Sequence, residues 1–157
     1  MSFGTSGYLS REQVPIADVM TTSLLQAGPA DSVRAASRRM AAAGVGSVAV
    51  CEGPRLVGIL TERDVLRLAG DGADLDGVRV EEAMTRRVVT ISPDADLLAA
   101  ARLMGERQIR HLPVVEGENV LGMVGIRDVL AALAEALWRT HDEAARETVH
   151  GLLAHRS

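Results

Sequence analysis

One segment of the chain combines residues that could bind a phosphorylated ligand. In Gly58-Ile59-Leu60-Thr61-Glu62-Arg63-Asp64, an apolar strand ends and a helix begins at about Thr61. The unpaired N–H groups and positive dipole end of a helix favour an anion, and the Thr61 hydroxyl can donate to a phosphate oxygen. Asp64 falls on the same helix face, where its carboxylate can accept two hydroxyl groups. With Gly58 permitting a close backbone approach, the segment is a candidate binding site.

The same residues have a structural interpretation that stays open at this point. Threonine is a common N-cap, and an aspartate in the first turn complements the helix dipole. A glycine within a strand often marks a bulge. Neither interpretation of Thr61, Asp64 and Gly58 requires a catalytic group.

A second copy of the segment differs at one position. Gly122-Met123-Val124-Gly125-Ile126-Arg127-Asp128 keeps the aspartate, as Asp128, but has Gly125 where the first copy has Thr61. A phosphate bound there would lose one hydroxyl donor, a loss of about 0.5–1.5 kcal/mol. We therefore expect two unequal sites, of which the one at Thr61 and Asp64 is the stronger.

Two basic residues, Arg110 and His111, open the strand pair of the second copy. Arg110 carries a forked cation suited to phosphate, and His111 is a pH-sensitive donor. The corresponding residues of the first copy, Gly46 and Ser47, carry no charge. The basic end of the site would therefore come from one copy only. The alternative is a surface arginine and a histidine bonded to a backbone carbonyl.

These segments belong to an internal repeat of 64 residues. A shift by that period, without a gap, places Met20–Thr21 on Met84–Thr85 and Arg63-Asp64-Val65-Leu66 on Arg127-Asp128-Val129-Leu130. A period held over the whole stretch from residue 20 to residue 66 indicates two copies of one structural unit.

Each copy predicts the order strand, helix, strand, strand, helix. First strands are expected around residues 24–27 and 88–91, followed by N-cap candidates: Asp31 or Ser32, and Asp94 or Asp96. Both helices that follow have a stripe at i, i+3 and i+7: Val33, Ala36 and Met40 in one, Leu97, Ala100 and Met104 in the other. Hairpins are expected at 47–51 with 56–60 and at 111–115 with 120–124, then helices at 62–69 and 126–137.

The period divides the chain into five parts. We expect a flexible N-terminus at 1–14, repeats at 15–70 and 79–138, a Gly/Asp-rich, solvated linker at 71–78 and a helical extension at 139–157. The extension has no counterpart after the first repeat, so it would cap the module or pack on a partner.

Composition limits the possible functions. The 17 basic and 21 acidic residues are interspersed, giving a net charge of −4, which argues against nucleic-acid binding. No apolar stretch approaches the length of about 18 residues that a membrane span needs, and no signal-peptide pattern opens the chain, so we expect a cytoplasmic protein with no membrane contact. The common hydrolase, dinucleotide and zinc motifs are absent, so we expect neither a catalytic residue nor a metal site. Cys51, the only cysteine, is expected to be a buried, inert thiol.

The chain resembles a tandem pair of CBS domains, the repeat named after cystathionine β-synthase; such a pair is called a Bateman module. The resemblance rests on the Met-Thr pair that opens each copy, on the strand Arg110-His111-Leu112-Pro113-Val114 and on the Gly-φ-φ-Thr-x-x-Asp junction that ends at Asp64. It covers residues 16–138 and implies an α+β fold of two β-α-β-β-α repeats with pseudo-two-fold symmetry.

Members of this family bind adenosine-containing ligands such as AMP, ADP, ATP or S-adenosylmethionine in the clefts between the two repeats. In this chain the resemblance implies that one cleft gathers Thr61, Asp64, Arg110, His111 and Asp128. It also implies a contribution to the lining from Gly58, Leu25, Ser47, Val89 and Gly125. The aspartates would bind ribose, and Leu25 and Val89 would contact the purine.

The implied function is a non-catalytic regulatory module that senses an adenine nucleotide or S-adenosylmethionine and requires no cofactor. It would pass the bound state to a protein partner, and a homodimer formed through the helices of both repeats is implied as well. The alternative is a dimerisation scaffold whose clefts bind no ligand, which Gly125 and the extension at 139–157 favour.

Overall fold

The computed structural model describes residues 14–139 of the 157-residue chain. Apart from residues 14 and 139 themselves, the expected flexible N-terminus and the expected helical extension lie outside the described residues. The described part contains both copies of the repeat.

The elements follow the predicted order closely. The first repeat opens with a 3₁₀ turn, Ile16–Asp18, and continues as β1 (Gln26–Ala27), α1 (Val33–Ala43), β2 (Ser47–Glu52), β3 (Arg55–Thr61) and α2 (Glu62–Gly70). The second opens with the short helix α3 (Val80–Ala83) and continues as α4 (Leu97–Arg107), β4 (His111–Glu116), β5 (Asn119–Gly125) and a helix α5 over residues 126–139. The fold is α+β, as expected.

Helices α1 and α4 begin at corresponding positions because each has a side-chain cap. The hydroxyl of Ser32 accepts a hydrogen bond from the backbone N of Ala35 at 3.1 Å, and the carboxylate of Asp96 accepts one from the backbone N of Ala99 at 2.7 Å. These bonds satisfy N–H groups that have no partner within the helix. The predicted apolar stripes of both helices are buried, each residue being at most 4% exposed.

The strands form one five-stranded sheet in the order β1-β2-β3-β5-β4. Both predicted hairpins are present, with a register irregularity at the same place in each, between Val50 and Cys51 and between Val114 and Val115. The two hairpins meet edge to edge at a single pair, Arg55 and Asn119. The sheet therefore runs across the boundary between the repeats.

The first strand of the second repeat is shorter than predicted. In place of a strand over 88–91, the chain makes one parallel bridge, Ile91 with Val114. Two backbone hydrogen bonds hold it: Ile91 N donates to Pro113 O at 3.0 Å, and Val115 N donates to Ile91 O at 3.0 Å. Since β1 is itself only two residues long, the first strand is the shortest strand of both repeats.

The linker is tied to α1. The Arg34 guanidinium contacts the Asp76 carboxylate at 2.7 Å, and the backbone N of Arg34 donates to Leu75 O at 3.0 Å. The solvated connector expected at 71–78 is therefore fixed at its C-terminal half, although its charged residues remain exposed.

Each repeat completes its hydrophobic core with the opening segment of the other. Ile16 of the first repeat is fully buried among α4, β4 and β5, whereas Val80 of the second repeat is fully buried among α1, β2 and β3. The backbones follow the same exchange: Thr21 pairs with Met123 on β5, and Thr85 pairs with Ile59 on β3. Neither repeat has a complete core without the other.

Two glycines make this exchange possible. A Cβ on Gly58 would collide with the Met84 thioether and lie 3.1 Å from Thr85 O, and one on Gly122 would lie 2.7 Å from Thr21 O. Gly58 therefore permits a close backbone approach, as predicted, and the backbone that approaches it is the opening segment of the second repeat.

We expect Gly122→Ala to lower the free energy of unfolding by about 1–3 kcal/mol, because the backbone at Thr21 would have to shift to admit the methyl group. Gly105→Ala is the matched control: it lies within α4, where a Cβ meets no atom within 4 Å. That variant should be neutral or more stable by up to about 1 kcal/mol. Urea denaturation of both variants measures the difference, and equal effects would contradict the exchange.

Candidate functional site

The first strand-to-helix junction is closed by its own side chains. Thr61 N and Thr61 Oγ1 both donate to Asp64 Oδ2, at 2.9 and 3.0 Å, and Asp64 N donates back to Thr61 Oγ1 at 3.4 Å. This reciprocal arrangement is a capping box for α2. The hydroxyl proton expected to serve a phosphate is directed at Asp64 instead. In this structure Thr61 is therefore the N-cap of α2, as the structural interpretation of this residue predicts.

The second junction is more open, because Gly125 has no hydroxyl. Gly125 N donates to Asp128 Oδ2 at 3.0 Å, and this is the one side-chain hydrogen bond of Asp128 with the described residues. The first N–H of α5 is used by the backbone, since Ile126 N donates to Arg110 O at 2.8 Å. A carboxylate can accept about four hydrogen bonds, so Asp128 keeps most of its capacity.

A cavity of about 590 Å³ lies beside Asp128, at the seam between the repeats. The first repeat lines it with the chain before β1, the end of α1 and the start of β2 and α2: Thr21, Ser23, Leu24, Leu25, Met40, Ala41, Gly44, Val45, Gly46, Ser47 and Glu62. The second repeat lines it with the start of β4 and the β5–α5 junction: Arg110, His111, Met123, Gly125, Ile126, Arg127 and Asp128. Both repeats are needed to form it.

Six of the ten expected site residues share this cavity: Leu25, Ser47, Arg110, His111, Gly125 and Asp128. The other four lie elsewhere. Thr61 and Asp64 cap α2, Gly58 is covered by Met84, and Val89 packs against the core of the second repeat. Of the five residues expected to share one cleft, Arg110, His111 and Asp128 line this cavity, whereas Thr61 and Asp64 do not.

Sequence reasoning missed several lining residues, of which Glu62, Val45 and Arg127 matter most. Glu62 and Arg127 are both variable positions of the junction motif, one after Thr61 and the other before Asp128. The repeat pattern locates them in the sequence but does not indicate the direction of their side chains. Val45 is 41% exposed, and an exposed β-branched residue after a helix is a weak signal of a binding surface.

His111 lies at the seam itself. A Cβ placed on Gly46 would lie 3.1 Å from His111 Cε1 and 3.0 Å from Glu62 Oε1. A Cβ placed on Gly125 would lie 3.8 Å from His111 Cδ2 and 3.4 Å from Asp128 Oδ2. The imidazole is therefore held between two bare stretches of backbone, with one carboxylate from each repeat nearby.

The pKa of His111 is lowered below 6.5, chiefly because burial disfavours the charged ring. The negative charges of Glu62 and Asp128 raise it, and the neighbouring Arg110 lowers it. At neutral pH the ring is uncharged and has one N–H donor. Within residues 14–139, no backbone carbonyl accepts a hydrogen bond from this ring, so the alternative given for His111 does not occur.

The lowered pKa makes the stability of the protein depend on pH. Because the unfolded chain binds the proton more tightly, the free energy of unfolding should fall as the pH drops below about 6.5, the ordinary pKa of histidine. His111→Gln should remove this component of the dependence. Urea denaturation between pH 7.5 and 5.5 on both proteins checks it (about one unit either side of 6.5), and parallel curves for the two proteins would contradict the assignment.

Cys51 does not line the cavity. Cys51 is 8% exposed, and burial raises the pKa of its thiol, as expected for an inert cysteine. Between residues 14 and 139, no three His, Cys, Asp or Glu side chains are placed to hold a metal ion. A separate search of the same residues finds no helix with the length and apolar character of a membrane span.

Comparison with known proteins identifies the repeat. The CBS domain model matches residues 16–71 and 80–135. The CBS domain-containing protein YhcV of Bacillus subtilis is 35% identical over 115 residues, which are 73% of this chain and 81% of that protein. A crystal structure of an uncharacterized conserved protein from Pyrococcus horikoshii is 34% identical, with a TM-score of 0.71 over 76% of this chain and 92% of that one.

Another solved structure shares the fold at lower identity. The CBS domain pair of protein MJ0100, crystallised with 5′-methylthioadenosine and S-adenosyl-L-methionine, is 23% identical, with a TM-score of 0.73 over 79% of this chain and 98% of that one. The family model covers both repeats. This chain therefore belongs to the CBS domain family, as a tandem pair of its repeats.

Proposed function

We propose that the cavity beside Asp128 binds an adenosine-containing ligand and that the chain is a non-catalytic regulatory module. The observation that carries the proposal is the Asp128 carboxylate, half-buried at the seam with a single side-chain hydrogen bond to the described residues. Such a carboxylate can accept both hydroxyls of a ribose. Asp64 holds the same position in the first repeat but does not line this cavity.

The remaining walls suit the other parts of such a ligand. Leu24, Leu25, Met40 and Val45 provide apolar surface for a purine. Arg110 forms no ion pair with the described residues, so its guanidinium is available for a phosphate. His111 could add a neutral N–H donor beside it.

The size of the cavity supports a ligand of this class. Its volume of about 590 Å³ is within the range of about 300–1,000 Å³ of small-molecule sites. MJ0100, which shares the fold, was crystallised with two adenosine-containing ligands. AMP, ADP, ATP and S-adenosylmethionine are all candidates on these grounds.

A regulatory role follows from where the cavity lies. Thr21 and residues 23–25 line the cavity. This stretch connects Thr21, which pairs with β5 of the second repeat, to β1 of the first. A ligand bound there contacts both cores and favours the arrangement of the two repeats that fits it. A partner protein could sense that arrangement without any reaction taking place.

Paired aspartate variants test the proposal. A ligand at about 100 times its Kd stabilises the folded state by about 2.7 kcal/mol, a rise in Tm of roughly 5–10 °C. We expect Asp128→Ala to abolish the shift with whichever of AMP, ADP, ATP or S-adenosylmethionine gives it in the wild type. Asp64→Ala, which loses the equivalent helix cap, should keep it.

Differential scanning fluorimetry measures these shifts. A shift lost in Asp64→Ala but kept in Asp128→Ala would place the ligand at the first junction and contradict the assignment. The absence of a shift with all four ligands in the wild type would refute the proposed function and favour the scaffold.

A second candidate function is a dimerisation scaffold that binds no ligand, and exposed leucines support the dimer that it requires. Leu66 on α2 and Leu130 on α5 hold the same position in the repeat and are 73% and 58% exposed. Two such residues on one molecule support association with a second copy. The scaffold and the ligand-binding module both predict a homodimer, and the melts described above distinguish them.

We expect Leu66→Glu combined with Leu130→Glu to convert the homodimer into a monomer, because two charges would be buried in the interface. Leu98→Glu, at a 55% exposed leucine of α4, is the control and should leave the dimer intact. Sedimentation velocity measures the mass. A wild type that sediments as a monomer would contradict the prediction.

A further inference from the structure

The charged residues of the cavity suggest which ligands it selects. Four of them line it: Arg110 and Arg127 are cationic, and Glu62 and Asp128 are anionic. Assuming the proposed adenosine site, we propose that Glu62 makes this site discriminate against polyphosphates, so that its ligand is a nucleoside of low negative charge, a nucleoside monophosphate in particular. From the sequence, no residue of the junction motif was expected to repel a phosphate.

Glu62 is placed to act on a phosphate held by the basic residues. It is the first residue of α2, and its carboxylate makes no hydrogen bond or ion pair with the described side chains. Glu62 Oε1 and His111 Cε1 lie 3.0 and 3.1 Å from the same point, the position a Cβ on Gly46 would take. The carboxylate and the ring thus face each other across the seam, next to Arg110.

Asp128 would affect every ligand of the class. In the proposed site it accepts the ribose, which AMP and ATP share, so its replacement would weaken the binding of both. Glu62 has no such contact to make with the ribose in that arrangement. Its charge is left to act on the part of the ligand that differs, the phosphate chain near Arg110 and His111.

The charge balance of the cavity points the same way. The two cations and two anions cancel, so an additional phosphate gains no net attraction. AMP carries about two negative charges at neutral pH, since its second pKa is near 6, and ATP carries about four by the same chemistry. A carboxylate within several ångströms repels each added negative charge, and because the Glu62 side chain is exposed, salt screens part of that repulsion.

Binding measurements with two charge variants test the inference. Isothermal titration calorimetry gives the Kd of AMP, ADP and ATP for the wild type, for Glu62→Gln and for Glu116→Gln. Glu116 ends β4, at the opposite end of the strand from His111, and is exposed. Both variants remove one negative charge from the protein, so they separate a local effect from a change in net charge.

We expect the wild type to bind AMP more tightly than ATP. Glu62→Gln should reduce the ratio of the two Kd values by roughly tenfold, mainly by tightening ATP, and Glu116→Gln should leave the ratio as it is. Raising the salt concentration should narrow the ratio in the wild type more than in Glu62→Gln, because salt screens the repulsion.

Four results would overturn the inference. Tighter binding of ATP than of AMP by the wild type, or an equal ratio in wild type and Glu62→Gln, refutes it while leaving the adenosine site in place. An equal change in Glu116→Gln assigns the effect to net charge and refutes it as well. If none of the three nucleotides binds to the wild type, the role of Glu62 fails, and the proposed function fails with it only if S-adenosylmethionine does not bind either.

Discussion

The structure depends on the crossing of two backbones over two glycines. The opening segment of each repeat lies across the last strand of the other, where Gly58 and Gly122 leave room for it. The exchange buries Ile16 in one core and Val80 in the other. Because each core contains a part of the other repeat, the two halves form one cooperative unit, and the seam between them becomes a fixed surface. The cavity beside Asp128 lies on that seam.

Approximate symmetry at the seam is broken by one hydroxyl. Thr61 donates a hydrogen bond to Asp64 and closes the first junction, whereas Gly125 leaves Asp128 with one side-chain hydrogen bond within residues 14–139. The two repeats also differ in their basic residues, because Arg110 and His111 occupy positions that Gly46 and Ser47 hold in the first repeat. A count of donors alone predicts a weaker site at Gly125, because the hydroxyl is missing there. The same absence leaves the Asp128 carboxylate available to accept hydrogen bonds from a ligand.

Much of the fold could be predicted because it depends on local patterns. The apolar spacing of Val33, Ala36 and Met40 determines which face of α1 is buried, and the β-branched runs on both sides of a glycine turn determine the hairpins. The 64-residue period then transfers each assignment to the second repeat. The exchange of opening segments could not be predicted, because periodicity does not say whether Val80 packs in its own repeat or in the other.

The candidate site was predictable residue by residue but not as a group. Leu25, Arg110, His111 and Asp128 were all identified from the sequence, yet which aspartate accompanies Arg110 depends on how the repeats face each other. Glu62 escaped notice for a related reason, since nothing in a strand-to-helix motif shows that the residue after Thr61 lies near basic residues of the other repeat.

A co-crystal structure with AMP tests the central claim, that the ligand site is the Asp128 cavity, most directly. The claim predicts both ribose hydroxyls within hydrogen-bond distance of the Asp128 carboxylate, about 2.5–3.0 Å, with the phosphate beside Arg110. A nucleotide bound instead with its ribose on Asp64, and the Asp128 cavity without ligand at saturating AMP, would contradict it.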